Sequence, residues 1–417
     1  MLLRTTVLLI CLAATGWYVN EQQRAGDFQH VDDLFLDFLV ANARDRFSLP
    51  DTKAEERVVF VQMREEDSAE YAAWPPPPLD WQTVLKSLQA YEPGVVVIAT
   101  PLTWGRPSPD FAAAVTEALL PFPSVVLGIE TELAGPERQA PAFMGDLSDA
   151  LPRFQRVDGD LHAVPRLASL ISAPDPAFRN QAELGLLSAR LVKEMWMLPY
   201  VIREGDTLVP SILAQALSRH SRSPYMSQRL RLGPGAGAYL REGLFVPLEV
   251  SGEMAVDFRT SVPTVNALHL MTGTLADGTG MEDKTALGKG KIVVLGFDRE
   301  SSGSGPRLAR LYAQALKQVL ALPRLRLLSQ TEQWIAWSMA ALGALWITLR
   351  VRRGRALIAG ALFVFLALVS SFLVFQSSLI WFPPTMPAAL LATGALVAFV
   401  IGRRSLDQET APGNSAA

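Results

Sequence analysis

Pro93-Gly94-Val95-Val96-Val97-Ile98-Ala99 is a short, unbroken apolar run opened by a turn pair, the pattern of a strand buried on both faces. Val58 to Met63 before it and Ser124 to Ile129 after it read the same way, and Lys291 to Gly296 supplies a fourth such strand. Between the first two, Asp80 to Tyr91 places Trp81, Val84, Leu85 and Leu88 on one helical face. Between the second and third, Ser108-Pro109-Asp110 offers a capping hydroxyl and a first-turn proline to a helix that Phe111 to Leu120 continues. Strand–helix–strand–helix–strand order predicts a parallel sheet with right-handed crossovers. Later segments add a helix at Ser211 to Ser218, extended pieces at Phe245 to Leu248 and Met254 to Phe258, and a last helix at Pro306 to Leu320. The expectation is an α/β domain with a mixed, partly parallel sheet flanked by helices.

Outward from this middle, the composition changes at both ends. The 417 residues carry a formal net charge of -3 and are 49% apolar, but the apolar excess is terminal. Nothing in the overall charge points to nucleic acid. Met1 to Asn20 holds Arg4 and an apolar run from Thr5 to Val19, which fits a signal peptide or an uncleaved anchor. The anchor is the reading adopted, because the other end independently requires a membrane. There, Gln333 to Leu349, Ala356 to Phe375 and Ile380 to Ile401 each approach the ~20 residues that cross a ~30 Å hydrocarbon core. Arg350, Arg352, Arg353 and Arg355 fill the first hinge, Arg403 and Arg404 follow the third run, and Gln376 to Pro384 carries no charge. Basic loops stay cytoplasmic. The C-terminus is therefore expected inside and the middle domain outside. The organisation read from the sequence is an anchor at 1–20, an extracytoplasmic domain at 21–330, three further transmembrane helices at 331–404 and a short cytoplasmic tail at 405–417.

Chemistry-bearing motifs are sparse. The one cysteine, Cys11, excludes an internal disulfide, and His30, His162, His220 and His269 lack zinc-ligand spacing. Gly233-Pro234-Gly235-Ala236-Gly237, Gly288-Lys289-Gly290-Lys291 and Asp158-Gly159-Asp160 read as turns. With no nucleophile elbow or paired-carboxylate motif, no catalytic residue, metal or cofactor is nominated, and the chain is not expected to be an enzyme. Ligands of parallel sheets bind at the strands' carboxyl ends. That rule nominates Arg64 and Glu65, from Arg64-Glu65-Glu66-Asp67 after the first strand, and Thr100 and Trp104 after the second, as the rim of a pocket. The plainer alternative is a solvated loop.

The order of features resembles the second type of CHASE domain, an extracellular sensory module associated with bacterial cyclases and histidine kinases. An apolar anchor and Val31-Asp32-Asp33-Leu34-Phe35-Leu36-Asp37 open the pattern. Ala73-Trp74-Pro75 and Pro93 to Val97 follow, then the Pro-Ser helix Val209-Pro210-Ser211-Ile212-Leu213-Ala214-Gln215-Ala216-Leu217. Pro247-Leu248, Gly252 to Phe258 and Gly290 to Gly296 resemble its closing strands. Gln62-Met63-Arg64 and Thr100-Pro101 stand where the family pattern carries aspartates, and Leu191 to Leu198 replaces an Asp-Gly-Arg stretch. The resemblance implies a sensory or regulatory protein of the bacterial inner membrane. With so short a tail after the last helix, the expectation is that it acts through a separate membrane or periplasmic partner. Lipid is the surrounding medium, and self-association is left open. The alternative is a structural or assembly subunit that senses nothing.

Overall fold

Strands apolar at every position have no solvent side, so they must be covered on both faces. The computed structural model describes residues 2–25, 27–47, 56–105, 107–134, 147–233, 235–257, 260–273, 289–298 and 308–401. Two compact units emerge, Arg44–Arg324 and a second built from Met1–Ala43 with Leu325–Ala417.

The first unit runs β1 (Val58–Arg64), α1 (Pro78–Gln89), β2 (Val95–Ile98), α2 (Pro109–Leu119) and β3 (Val125–Ala134). It continues with β4 (Arg166–Ser172), β5 (Glu183–Leu187), β6 (Val201–Glu204), β7 (Thr207–Pro210) and α3 (Ile212–His220). β8 (Thr264–Asn266), α4 (Ala267–Thr272), β9 (Ile292–Asp298) and α5 (Leu308–Leu320) complete it. The nine strands form one mixed sheet in the order β7-β6-β4-β3-β2-β9-β1-β8, with β5 also paired to β3. β8, β1, β9, β2 and β3 are parallel, as the strand–helix alternation predicts. β1 and β2 are nevertheless not neighbours: β9 lies between them, with Val58 opposite Ile292 on one side and Val95 opposite Ile292 on the other.

Alternate residues of each strand face alternate cores. Val58, Phe60, Val95, Val97, Ile292 and Val294 pack with α3 and α5. Val59, Val61, Val96, Ile98, Val293 and Leu295 pack with α1, α2 and α4. The result is three layers, helices on both faces of a doubly buried sheet. Ser211 caps α3 by accepting from the Ala214 N–H, whereas Ser108, placed correctly at the start of α2, makes no side-chain cap. β5 approaches α3 so closely that a Cβ on Gly185 would lie 2.6 Å from the Ile212 Cα, which explains the glycine.

Two small sheets flank the large one. Arg156–Asp158, Arg229–Arg231, Gly237–Tyr239 and Phe245–Pro247 form one, and Arg190–Val192, Met195–Pro199 and Glu253–Val256 the other. The expected extended pieces near 245 and 254 are thus strands, with Phe258 outside the described residues. Gly159 takes a φ of +110°, so the Asp158-Gly159-Asp160 turn needs its glycine.

In the second unit, helices span Leu2–Ala25, Gln29–Asn42, Gln330–Arg350, Ala356–Ser378 and Thr385–Ile401. Among the described residues one segment, Arg353–Ser378, is long and apolar enough to cross a membrane, and Thr385–Ile401 is a shorter apolar helix. Small residues let the helices close up: a Cβ on Gly394 would meet the Ala344 Cα at 2.6 Å. The Asp32 carboxylate accepts from the Thr385 N–H (3.2 Å) and hydroxyl (2.6 Å), holding helix Gln29–Asn42 to the start of Thr385–Ile401. Arg403, Arg404 and the tail 405–417 lie outside the described residues.

Candidate functional site

The chain leaves β1 and β2 toward α1 and α2 on one face of the sheet, and leaves β9 toward α5 on the other. Where neighbouring strands send their connections to opposite faces, a crevice must open beyond their carboxyl ends. A cleft of about 250 Å³ occupies that place, bordered by Thr100 after β2, Phe297 in β9 and Ala309 in α5.

Its walls are fixed from behind. Trp81, buried on α1, meets the Phe297 ring at 6.1 Å and 67°, and Trp74 meets the same ring at 5.2 Å. The Trp104 indole N–H donates to the Pro76 carbonyl (3.2 Å), its backbone N–H to Asp175 (3.0 Å), and its ring packs edge-on against Phe178. Thr103 also donates to Asp175 (3.4 Å), so this carboxylate, 8% exposed, serves as the loop's anchor. The Thr100 hydroxyl accepts from the Phe297 N–H at 3.4 Å, tying the end of β2 to β9. Side chains held at both ends are preorganised, which lowers the entropy a ligand must overcome.

The fourth wall comes from β3. Its edge pairs in parallel with β5 as far as Glu130 opposite Leu187, then antiparallel with β4 from Glu130 opposite Ser172. All three residues line the cleft. The register slips by one residue between Glu130 and Thr131, a bulge of the kind that re-aims side chains beside sites.

Of the four residues nominated from the sequence, the cleft brings together Thr100 and Trp104. Arg64 and Glu65 are exposed and do not line it. Arg64 ends β1 and Glu65 starts a 3-10 turn, Glu65–Glu70, in which Asp67 accepts from Asn266 at 2.7 Å. Beside this turn the Tyr71 hydroxyl is pushed up to about 12, first by burial and then by Asp67 and Asp80. Glu130, Asp175 and Phe297 were not foreseen. Glu130 had a signal, since it directly follows the third apolar strand; Asp175, which anchors the Trp104 wall from a loop distant in sequence, had none. Among the described residues no group of three His, Cys, Asp or Glu side chains is arranged to hold a metal.

Three layers around a sheet with a parallel centre define an α/β domain, with a preorganised cleft over β9. The chain belongs to the CHASE2 domain family, whose model matches residues 5–351. That is a family of extracellular sensory domains. No curated protein and no solved structure matches the chain.

Proposed function

We propose that the chain is a multi-pass inner-membrane sensory or regulatory protein that binds its stimulus over β9 and signals through a separate membrane or periplasmic partner. The observation that carries this reading is the preformed cleft at the switch point of a sensory-family sheet. The domain acts by binding, without catalysis of its own, and requires no cofactor.

Membrane placement is supported by the apolar helices Arg353–Ser378 and Thr385–Ile401 and by outward-facing Trp334, Met339, Leu342 and Trp346 on Gln330–Arg350. In this reading the helices Leu2–Ala25 and Gln330–Arg350 also cross, the Arg350–Arg355 hinge is cytoplasmic and the uncharged hinge Gln376 to Pro384 is outside. Cysteine labelling checks it. In a Cys11→Ser background, Ser377→Cys reacts with an impermeant maleimide on intact cells and Gly354→Cys reacts only after lysis. The reverse pattern inverts the topology and sinks the reading.

The partner is tested by affinity purification of the tagged full chain from gently solubilised membranes, with mass spectrometry of what stays bound. A kinase or cyclase supports the sensory role. Envelope assembly proteins without a signalling enzyme would turn the chain into a docking module. One feature favours that second reading: the edge strand Arg190–Val192 exposes Leu191 (58%) and Val192 (38%), with Met195 (53%) opposite Val192 on the next strand.

A further inference from the structure

We infer that the cleft over β9 selects a small organic cation: an ammonium group on a compact, partly apolar body. The inference rests on the sensory reading and names the chemical class sensed.

Glu130 is the starting point. Among the described residues lining the cleft it is the one charged side chain, half-buried, and none is basic. Among the described residues its carboxylate has no hydrogen-bond or ion-pair partner, while neighbouring Glu132 accepts from Ser169 at 3.0 Å. It stands where β3 exchanges one strand partner for another, beside the register slip, so the backbone itself presents it to the cleft.

The first turn of α5 supplies Leu308 and Ala309 to the rim, and a helix N-terminus is worth roughly half a positive charge that fades within a turn. Glu130 carries a full negative charge, and Asp175 adds a second one behind Trp104, bonded to that residue's N–H at 3.0 Å. Among the described residues the balance in the cleft is negative.

The walls suit the same ligand. Trp104 and Phe297 contribute ring surface, and aromatic faces attract cations most strongly once water is displaced. Ser172 and Thr103 add hydroxyls able to accept from an ammonium or to meet a ligand hydroxyl. A volume near 250 Å³ admits such a molecule and excludes a nucleotide.

The test uses the full chain in lipid nanodiscs, titrated with choline, ethanolamine and putrescine at constant ionic strength while tryptophan emission is followed. 3,3-Dimethyl-1-butanol is the neutral isostere of choline. At least one cation should give a saturable change, with the isostere weaker than choline by about tenfold or more if choline is that cation. Glu130→Gln should weaken the responding cation by about tenfold or more without moving the melting temperature. Three outcomes overturn the inference: no saturable response to any of the three cations, an isostere that binds as tightly as a responding choline, or unchanged binding of the responding cation by Glu130→Gln. The isostere comparison needs no variant, so a misfolded mutant does not rescue the idea. If cations bind as described but only assembly proteins co-purify, the sensory reading fails while the cation site stands.

Discussion

The two ends of the central sheet are both hollow, and they are hollow for different reasons. Beyond the carboxyl ends lies the cleft of about 250 Å³; beyond the amino ends lies a larger concavity of about 940 Å³. Size alone would choose the second. Four of its charged groups, however, pair off, Arg219 with Glu183 and Lys289 with Glu92 at 3.2 Å, and Arg222 is exposed to solvent. Pro93, Pro121, Pro123 and Pro224 line it, residues expected wherever chain turns between helix and strand. At the carboxyl end the topology forces a gap, the walls are pinned, and one carboxylate is left without a protein partner among the described residues. An unmet chemical group at a topological switch is better evidence of a site than volume.

The contrast breaks most severely at Trp81, which is 1% exposed and serves both the core and the cleft floor. Trp81→Ala should cost about 3–5 kcal/mol, lowering the melting temperature of the full chain by roughly 10 °C. Loss below ~1 kcal/mol would mean the floor is not part of the core. Next comes Asp175→Ala, which strands the Trp104 N–H and the Thr103 hydroxyl. A cost of about 1–3 kcal/mol is expected, with red-shifted tryptophan emission as the Trp104 wall loosens. An unshifted spectrum would show that the wall is held without the aspartate.

Sequence patterning found the centre of this fold because the centre is the part with no polar face. The runs beginning at Val58, Val95, Ser124 and Lys291 correspond to β1, β2, β3 and β9, within two residues except at the end of β3, which continues to Ala134. Their lateral order was not legible. β9 enters between β1 and β2 from nearly two hundred residues away, and no local pattern records such an insertion. Two of the nominated rim residues, Arg64 and Glu65, were lost for a related reason: β1 ends beside β9, but its chain turns outward into Glu65–Glu70. The hairpin at 190–199 was missed because its turn is Lys193-Glu194, both at positive φ (48° and 66°), where glycine or asparagine would have advertised it.

A finer separation of the two ends comes from their tyrosines. Tyr71, near the carboxyl end, keeps its proton to about pH 12, whereas an unfolded tyrosine releases it near pH ~10. Stability is complete below that lower value and falls as pH rises toward the upper one, by up to about 1.4 kcal/mol per pH unit. The Tyr71 hydroxyl is buried without a partner among the described residues, so Tyr71→Phe should be nearly neutral at pH 7 and flatten the alkaline fall. Tyr225, at the amino end and also raised by burial, donates to Gln215 at 2.7 Å. Tyr225→Phe should therefore lose about 1 kcal/mol already at neutral pH. Urea unfolding of the detergent-solubilised chain at both pH values checks this, and equal neutral-pH losses would erase the distinction.

The smallest effect belongs to the amino-end rim. Lys289 and Glu92 face each other with side chains 87% and 67% exposed. In water such a pair gains little beyond what each charge already has from solvent, and ordering two long side chains offsets the gain. Lys289→Ala should change unfolding free energy by less than about 0.5 kcal/mol, and less still as salt rises. The same substitution should leave cation binding at the carboxyl end untouched, because screening removes an exposed charge's influence beyond roughly 10 Å. If Lys289→Ala instead changed that binding as much as Glu130→Gln, the two hollows would be one coupled system, and the ligand would have to be sought in both.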